Sequence, residues 1–263
     1  MNPILIAVLI VAGIGLAMGI ILAVASAAFG VVKDEREQII AEMLPGANCG
    51  GCGYSGCAAY AQAILSGETP PTLCAPGGSA VAQKIADLLG QKADGFKEKK
   101  AVVMCQGNCE HMGVKMEYSG EKTCAAAAMF FGGPRACSYG CIGYGDCVVA
   151  CQFDAIHVID GVAVVDRDKC TGCGACVAAC PKKIIELIPA SEAVGILCKS
   201  HDTGKDTRSV CKIGCIACSK CVKECPAMCI SMKDNLAVID YSKCYGCRVC
   251  VGVCPTKTIK NID

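Results

Sequence analysis

The sequence predicts an α+β protein with one transmembrane helix, a small cysteine-rich domain and a tandem pair of further cysteine-rich units. Three observations predict this class. The chain begins with a long uncharged apolar run, 26 of its 263 residues are cysteine, and the cysteine spacing of the C-terminal half occurs twice. Because only 5% of the residues are aromatic, we expect bound groups rather than large side chains to hold the cysteine-rich part together.

Residues 1–32 are predicted to form a transmembrane anchor. Residues 4–32 carry no charged side chain, and at about 1.5 Å per residue a helix of this length exceeds the ~30 Å hydrocarbon core. A cleaved signal peptide is the alternative, since the ASA run at 25–27 resembles a cleavage site. The long apolar run and the lack of a basic N-terminal region favour a retained anchor.

The residues after the anchor are predicted to lie on the cytoplasmic side of the cell (inner) membrane. Lys33 and Arg36 directly follow the apolar run, and basic residues favour the cytoplasmic side.

The net charge of the chain is +1, so we expect no nucleic acid partner. So many cysteines in a chain of this length favour metal ligation over a disulfide scaffold.

Composition and turn residues divide the remainder of the chain. Residues 33–90 form one predicted domain, with helices over 33–44, 58–65 and 79–89. The polar, charged segment 91–100 is a predicted linker. The two repeated units then occupy residues 101–190 and 191–263. The second unit is the basic one, with 11 basic and 7 acidic residues over 190–263, which fits either an acidic partner or an ordinary solvated surface.

An internal repeat dominates the C-terminal half. At an offset of 74 residues, eight cysteines of the first unit align without a gap on eight of the second. Short apolar runs flank a DG or DN turn in each copy, at 156–159 and 162–165 and at 229–232 and 237–239, so we expect one hairpin per copy. The aligned pairs are Cys137/Cys211, Cys141/Cys215, Cys147/Cys221, Cys151/Cys225, Cys170/Cys244, Cys173/Cys247, Cys176/Cys250 and Cys180/Cys254.

Each copy contains the run C-x2-C-x2-C-x3-C-P, at 170–181 and at 244–255. In bacterial ferredoxins three cysteines of this run hold one iron–sulfur cluster and the fourth ligates the other. Zinc sites use paired C-x2-C motifs, so zinc binding does not account for this four-cysteine run. The predicted fold is therefore an α+β chain with a single N-terminal transmembrane helix, a small Fe–S domain and two tandem bacterial-type dicluster ferredoxin units.

This pattern, in which the fourth cysteine of each run ligates the other cluster, predicts three complete ligand sets. They are Cys151, Cys170, Cys173 and Cys176; Cys215, Cys218, Cys221 and Cys254; and Cys225, Cys244, Cys247 and Cys250.

A fourth set in the ferredoxin units is irregular. Tyr144 stands where the second copy has Cys218, so Cys141, Cys147 and Cys180 lack a middle ligand. Either Cys137 supplies the fourth thiolate of a [4Fe–4S] cluster, which is the interpretation we favour, or the site holds a [3Fe–4S] cluster. Cys211 repeats Cys137 in a copy that does not need it, which weakens the first interpretation.

Six cysteines remain without a role in these sets. Cys105, Cys124, Cys198 and Cys211 could in principle form an additional cluster, although buried free thiols are common and are the simpler interpretation. Cys229 aligns with Ala155, which suggests a core thiol. The six are Cys105, Cys109, Cys124, Cys198, Cys211 and Cys229.

The chain resembles the B subunit of the Rnf complex, a ferredoxin:NAD⁺ oxidoreductase. The resemblance rests on the apolar N-terminal helix, the motif CGGCGYSGCAAYA with a distant cysteine, and ACSYGCIGYGDC within the ferredoxin units, and it covers essentially the whole chain. It implies one [4Fe–4S] cluster on the first four cysteines, which together with two clusters per ferredoxin unit makes about five. These four are Cys49, Cys52, Cys57 and Cys74.

The resemblance also implies partners and a reaction. Soluble reduced ferredoxin would donate electrons to the C-terminal half, and the complex would pass them through other membrane and flavin-bearing subunits to NAD⁺, with export of Na⁺ or H⁺. The alternative is the related Rsx type, an electron relay that reduces a redox sensor.

The chain itself is expected to carry no catalytic residue. No G-x-G-x-x-G run follows a predicted strand, so the nicotinamide site is expected elsewhere in the complex. The three histidines, His111, His157 and His201, form no pattern with a nucleophile and an orienting residue.

Overall fold

The computed structural model describes residues 3–28, 34–91 and 95–262. Helix α1 spans Pro3–Ala28. Its segment Leu9–Ser26 has a mean hydropathy of 2.5 and no buried residue, and by length and composition it could cross a membrane. Residues 29–32 of the expected anchor, Lys33 and residues 92–94 of the expected linker lie outside the described residues.

The small domain packs three helices around its cysteine loop. They are α2 (Glu35–Met43), α3 (Cys57–Leu65) and α4 (Gly78–Leu89), with a 3₁₀ turn at Pro71–Leu73. Ile40, Ile64 and Ile85 form its fully buried core with Tyr60. The Tyr60 hydroxyl donates to the Pro70 carbonyl at 2.9 Å and accepts from the Leu73 N–H at 3.0 Å, which fixes the segment leading to Cys74.

The first ferredoxin unit consists of two antiparallel strand pairs and three short helices. β1 pairs with β4, and β2 pairs with β3 as a hairpin. β1 begins at Lys99, so the last two residues of the segment expected as a linker belong to a strand. The elements are β1 (Lys99–Val103), α5 (Cys124–Ala128), α6 (Asp146–Val149), β2 (Ile156–Ile159), β3 (Val162–Val165), α7 (Ala175–Ala179) and β4 (Ile185–Pro189).

The second unit repeats this plan. β5 pairs with β8, and β6 pairs with β7, again antiparallel. Helix α8 precedes the cysteine run of this unit, as α5 does in the first. The elements are β5 (Val194–Ile196), α8 (Gly204–Val210), α9 (Lys220–Lys223), β6 (Ile230–Lys233), β7 (Leu236–Ile239), α10 (Val249–Val253) and β8 (Ile259–Asn261).

Both hairpins turn through two residues with positive φ. Asp160 and Gly161 have φ of 49° and 79°, and Asp234 and Asn235 have φ of 45° and 62°. Positive φ at both central residues is the type I′ conformation, whose twist matches that of the flanking strands, and Asp, Asn and Gly adopt it most readily. The DG and DN signals of the sequence therefore mark the two turns.

The two units pack against each other through a shared apolar cluster. Val102, Met104 and Ile188 of the first unit meet Ile262 at the C-terminal end of the second. The Gln106 amide adds hydrogen bonds to the carbonyls of Lys257 and Thr258, at 3.2 and 3.0 Å. Leu197, directly after β5, packs against the same cluster, so the segments that follow β1 and β5 both lie between the units.

Candidate iron-sulfur sites

Four half-buried cysteines surround the loop between α2 and α3, and we call this set site A. The Asn48 side chain closes the loop by accepting a hydrogen bond from the Cys57 N–H at 2.8 Å. Burial raises the pKa of the Cys74 thiol, a hydrogen bond from the Gly77 N–H opposes this, and the other three thiols raise it further. The four thiols therefore lie near one another. Site A is Cys49, Cys52, Cys57 and Cys74.

A second set, site B, lies under β1 in the first ferredoxin unit. Burial raises the pKa of the Cys176 thiol to about 11, and the other thiols of the set contribute. The Ala101 N–H donates to Cys170 Sγ at 3.4 Å, and Lys100 Nζ donates to the Cys170 carbonyl at 2.8 Å. Site B is Cys151, Cys170, Cys173 and Cys176.

The second unit places eight of its cysteines around two cavities, which we call sites E and F. The cavities measure about 350 and 330 Å³. Helix α9 lies between them, since Cys221 on this helix faces site E and Cys225, four residues later, faces site F. Cys229 also lines site F and hydrogen-bonds to Cys225, Sγ to Sγ, at 3.5 Å. Site E is Cys215, Cys218, Cys221 and Cys254, and site F is Cys225, Cys244, Cys247 and Cys250.

The irregular set of the first unit, site C, differs from the expectation. Its cavity of about 350 Å³ is lined by Cys141, Cys147 and Cys180, and the fourth cysteine is Cys124 rather than Cys137. Burial raises the pKa of the Cys147 thiol to about 12, and the nearby thiols of Cys141, Cys124 and Cys180 contribute in that order. The placement of Cys137 at this site is therefore corrected.

Cys124 reaches site C because the N-terminus of α5 is tied to α6. The Asp146 carboxylate accepts hydrogen bonds from the N–H groups of Cys124 at 2.7 Å and Ala125 at 2.9 Å. A carboxylate at the first N–H groups of a helix satisfies donors that have no partner inside the helix. The Tyr144 ring, which occupies the position of the missing cysteine, packs on Tyr118 with ring centroids 6.1 Å apart.

Cys137 instead lines a separate cavity between the two units, which we call site D. This cavity also measures about 350 Å³. It brings Cys137 together with three cysteines that the sequence left without a role. Cys124, which was considered with those three as an additional cluster, lies at site C instead. Site D is Cys105, Cys137, Cys198 and Cys211.

Neighbouring sites touch through backbone and sulfur atoms. A Cβ on Gly51 of the site A loop would lie 2.2 Å from the carbonyl oxygen of Cys173 in site B, so only glycine allows this approach. Cys176 of site B adds to the raised pKa of Cys147 in site C. Sites B and C are therefore adjacent, as are sites A and B.

The arrangement of thiols fits iron–sulfur clusters. All 26 cysteines are free, and at least four of them line each of the cavities of sites C, D, E and F. Four thiolates are the ligand set of a [4Fe–4S] cluster, and backbone N–H groups that point at sulfur stabilise it. Among the described residues, no group of three or more His, Cys, Asp or Glu side chains is placed to hold a single metal ion.

Sequence reasoning missed Cys124 because its local sequence carries no ligand spacing. It lies 17 residues before Cys141 and contributes to site C only through the fold of the intervening chain. The usable signal was the gap at Tyr144 together with the unassigned cysteines. The signal for site D was the repetition of Cys137 by Cys211, since a residue kept in both copies without a local need points to a shared site.

Family models match three segments of the chain. A model of an Fe-S cluster domain matches residues 44–76, which hold site A. A 4Fe-4S binding domain matches residues 163–186, and a 4Fe-4S dicluster domain matches residues 214–258, which hold sites E and F. No cysteine of site D falls within the three matched ranges.

Curated relatives match the chain over nearly its whole length. The B subunit of the ion-translocating oxidoreductase complex of Methanosarcina acetivorans is 44% identical, over 95% of this chain and 96% of the relative. The B subunit of the Na⁺-translocating ferredoxin:NAD⁺ oxidoreductase complex of Acetobacterium woodii is 44% identical, over 98% and 78%. The proton-translocating counterpart of Clostridium ljungdahlii is 40% identical, over 100% and 94%.

These matches confirm the resemblance seen in the sequence and the predicted fold class. The apolar helix, the Fe–S domain and the two ferredoxin-type units are present in the expected order. The chain therefore belongs to the family of the Rnf complex B subunits, the iron–sulfur electron-transfer subunits of ion-translocating ferredoxin:NAD⁺ oxidoreductases.

Proposed function

We propose that this chain accepts electrons from soluble reduced ferredoxin at its C-terminal unit and delivers them from site A to membrane subunits of the complex. Those subunits, some of which bear flavin, reduce NAD⁺ and couple the reaction to Na⁺ or H⁺ export. The cysteine domains lie on the cytoplasmic side, anchored by α1. A bound cluster supplies a one-electron change of charge with little rearrangement.

The observation that carries this proposal is the single row formed by the cysteine sets. Site F lies at the far end of the second unit, site E follows it across α9, and sites C and B follow in the first unit. Site A belongs to the domain that directly follows the membrane helix in sequence. Its loop contacts site B through Gly51. Sites F and E lie on either side of α9, sites C and B lie on either side of α6, and sites B and A meet at Gly51. Sites E and C are linked through Cys198 and Cys105, whose sulfurs accept hydrogen bonds from the N–H groups of Cys215 and Cys141.

The exposure of the sulfurs supports entry at the C-terminal unit. Cys218 of site E and Cys247 of site F are exposed, whereas Cys141 and Cys147 of site C are buried. An exposed ligand lets a soluble protein approach a site closely. The unit also carries the basic excess of the chain, and charge complementarity speeds the encounter with an acidic partner.

The ligands of site C follow from its geometry. We assign Cys124, Cys141, Cys147 and Cys180 to a [4Fe–4S] cluster, since four thiols surround the cavity. Sites A, B, E and F bind [4Fe–4S] clusters through the sets given above, which makes five. The NAD⁺ site lies elsewhere in the complex.

Substitution of Cys57 by serine in the intact complex tests the direction of transfer. We expect ferredoxin-driven NAD⁺ reduction to fall to below about a tenth of the wild-type rate, because a missing thiolate weakens cluster binding at site A. Reduction of the remaining clusters by ferredoxin, followed by visible absorbance in the same membranes, should be retained.

The matched control is Cys109→Ser, since Cys109 is exposed and belongs to no site. It should leave both rates unchanged. Full NAD⁺ reduction by the Cys57 variant with site A empty would contradict the proposal.

Copurification of subunits with the wild-type complex separates the two family types, because a flavoprotein that binds nicotinamide belongs to the NAD⁺-reducing complex and not to a sensor-reducing relay.

A further inference from the structure

The four cysteines of site D come from both ferredoxin units. Cys105 follows β1 and Cys198 follows β5, so each stands after the first strand of its unit. Cys137 and Cys211 are the first of the eight aligned cysteines in each unit. Together they line one cavity of about 350 Å³, the same volume as the cavities of sites C and E. The two copies of the duplicated unit thus contribute two thiols each to a single cavity.

The hydrogen bonds at this cavity repeat between the units. Cys105 Sγ accepts from the Gly107 N–H at 3.4 Å and from the Cys141 N–H at 3.4 Å. Cys198 Sγ accepts from the Ser200 N–H at 3.5 Å and from the Cys215 N–H at 3.3 Å. In both cases the donors are the residue two positions later and the first cysteine of the neighbouring site. Backbone N–H groups aimed at sulfur stabilise thiolates that ligate a metal cluster.

Glycines keep the backbone close to the cavity at equivalent positions. A Cβ on Gly140 would lie 2.9 Å from the Met112 sulfur and 3.3 Å from the Cys137 Cβ. A Cβ on Gly214, 74 residues later, would lie 2.5 Å from the Thr207 Cγ2. A side chain at either position would press on Met112 or Thr207, and both of these residues line the cavity. Glycine therefore lines the cavity at the equivalent position of both copies.

Burial sets what the cavity can hold. Cys137 and Cys211 are 8% and 9% exposed, and Cys105 and Cys198 are half-buried. Four thiolates enclosed together would repel one another unless a positively charged group neutralised them. Lys199 also lines the cavity, but its Nζ is paired with the Glu186 carboxylate. A metal group bound by all four sulfurs would neutralise them directly.

Site D also lies between site C of the first unit and site E of the second. Its Cys105 sulfur bonds to the backbone of Cys141 in site C, and its Cys198 sulfur bonds to the backbone of Cys215 in site E. Sites C and E are thus joined through site D.

We propose that Cys105, Cys137, Cys198 and Cys211 bind a sixth [4Fe–4S] cluster, which connects the two ferredoxin units. This inference rests on the proposed function, since an electron relay is what needs a continuous row. The cluster takes one electron from the cluster of site E and gives one to the cluster of site C, so no further reactant is needed. Cys109 and Cys229 are then the only cysteines outside the six sets.

The test uses the full-length chain, purified anaerobically, with iron, zinc and acid-labile sulfide measured per chain. Six clusters give about 24 iron and no stoichiometric zinc in the wild type. The double variant Cys137→Ala/Cys211→Ala removes two ligands and leaves the sulfurs that bond to sites C and E in place. It should contain about 20 iron, with one reduced-cluster EPR signal lost. Cys109→Ala, the matched control, should match the wild type.

Three results would overturn the inference. The first is an iron content of about 20 per wild-type chain that the double substitution does not lower. The second is one zinc per wild-type chain that is lost in the double variant. The third is that all four site D thiols of the folded wild-type chain can be alkylated. If the double variant fails to fold, the iron, zinc and sulfide contents of the wild type decide the question alone. Failure of the proposed function would differ, because ferredoxin would then reduce no cluster of a fully loaded chain.

Discussion

At the scale of single residues, the assignment of site C depends on Cys124. The thiol lies at the start of α5, where the Asp146 carboxylate holds the first two N–H groups of the helix. The aligned position in the ferredoxin run is Tyr144, whose ring packs on Tyr118 and leaves the ligand position to another segment. Three run cysteines and one inserted cysteine therefore complete a set that spacing alone could not complete.

Substitution of Cys124 in a chain without a site D cluster tests this assignment. In the Cys137→Ala/Cys211→Ala background, we expect Cys124→Ala to convert site C to a [3Fe–4S] cluster, because one of four ligands is missing. The oxidised protein should then show about one three-iron EPR signal per chain. The background itself should show none, since site D has lost two ligands there.

The control in the same background is Cys109→Ala, which should add no signal. If the background alone already gave the three-iron signal, and Cys124→Ala added nothing, Cys137 would be the fourth ligand of site C after all.

At the scale of elements, the short helices α6, α7, α9 and α10 each separate two sites. Helix α9 carries Cys221, which faces site E, and Cys225, which faces site F, lies just past its C-terminal end. The same helix carries Lys220 and Lys223, both exposed beside these sites. Its position makes α9 the element where an acidic protein could approach both sites.

Charge reversal on α9 tests this docking surface. We expect Lys220→Glu/Lys223→Glu to slow the association of reduced ferredoxin by about tenfold at low ionic strength, with a smaller difference at high salt. Stopped-flow reduction of the complex at several ferredoxin concentrations measures this rate. Lys84→Glu on α4 is the matched control and should have no effect. Equal rates for the α9 variant, with full iron content, would place the entry point elsewhere.

The elements also show what the sequence could predict. Strands β2 and β3 lie where the apolar runs and the DG turn placed them, because adjacent residues alone determine a type I′ hairpin. The run C-x2-C-x2-C-x3-C-P likewise contains its own ligand geometry. Cys105, Cys124 and Cys198 lie outside such runs. Their neighbours in space come from distant segments, so their roles depend on the docking of α5 and of the two units.

At the scale of the whole molecule, duplication explains the arrangement. A duplicated ferredoxin unit gives two pairs of sites, and the surface between the copies brings Cys137 and Cys211, equivalent residues, to the same cavity. Site D thus exists only in the double unit. The small domain extends the row at the other end through the contact of Gly51 with Cys173. The result is one row of six sets between the basic C-terminal unit and the domain next to the membrane helix.

The number of electrons that the full-length chain accepts tests the central claim most directly. The anaerobically purified chain is titrated coulometrically from the fully oxidised state to a potential below that of reduced ferredoxin. A continuous row of six clusters predicts about six electrons per chain. About five electrons, from a chain with every other site loaded, would contradict the connection between the two units, and a chain that accepted none would contradict the electron relay itself.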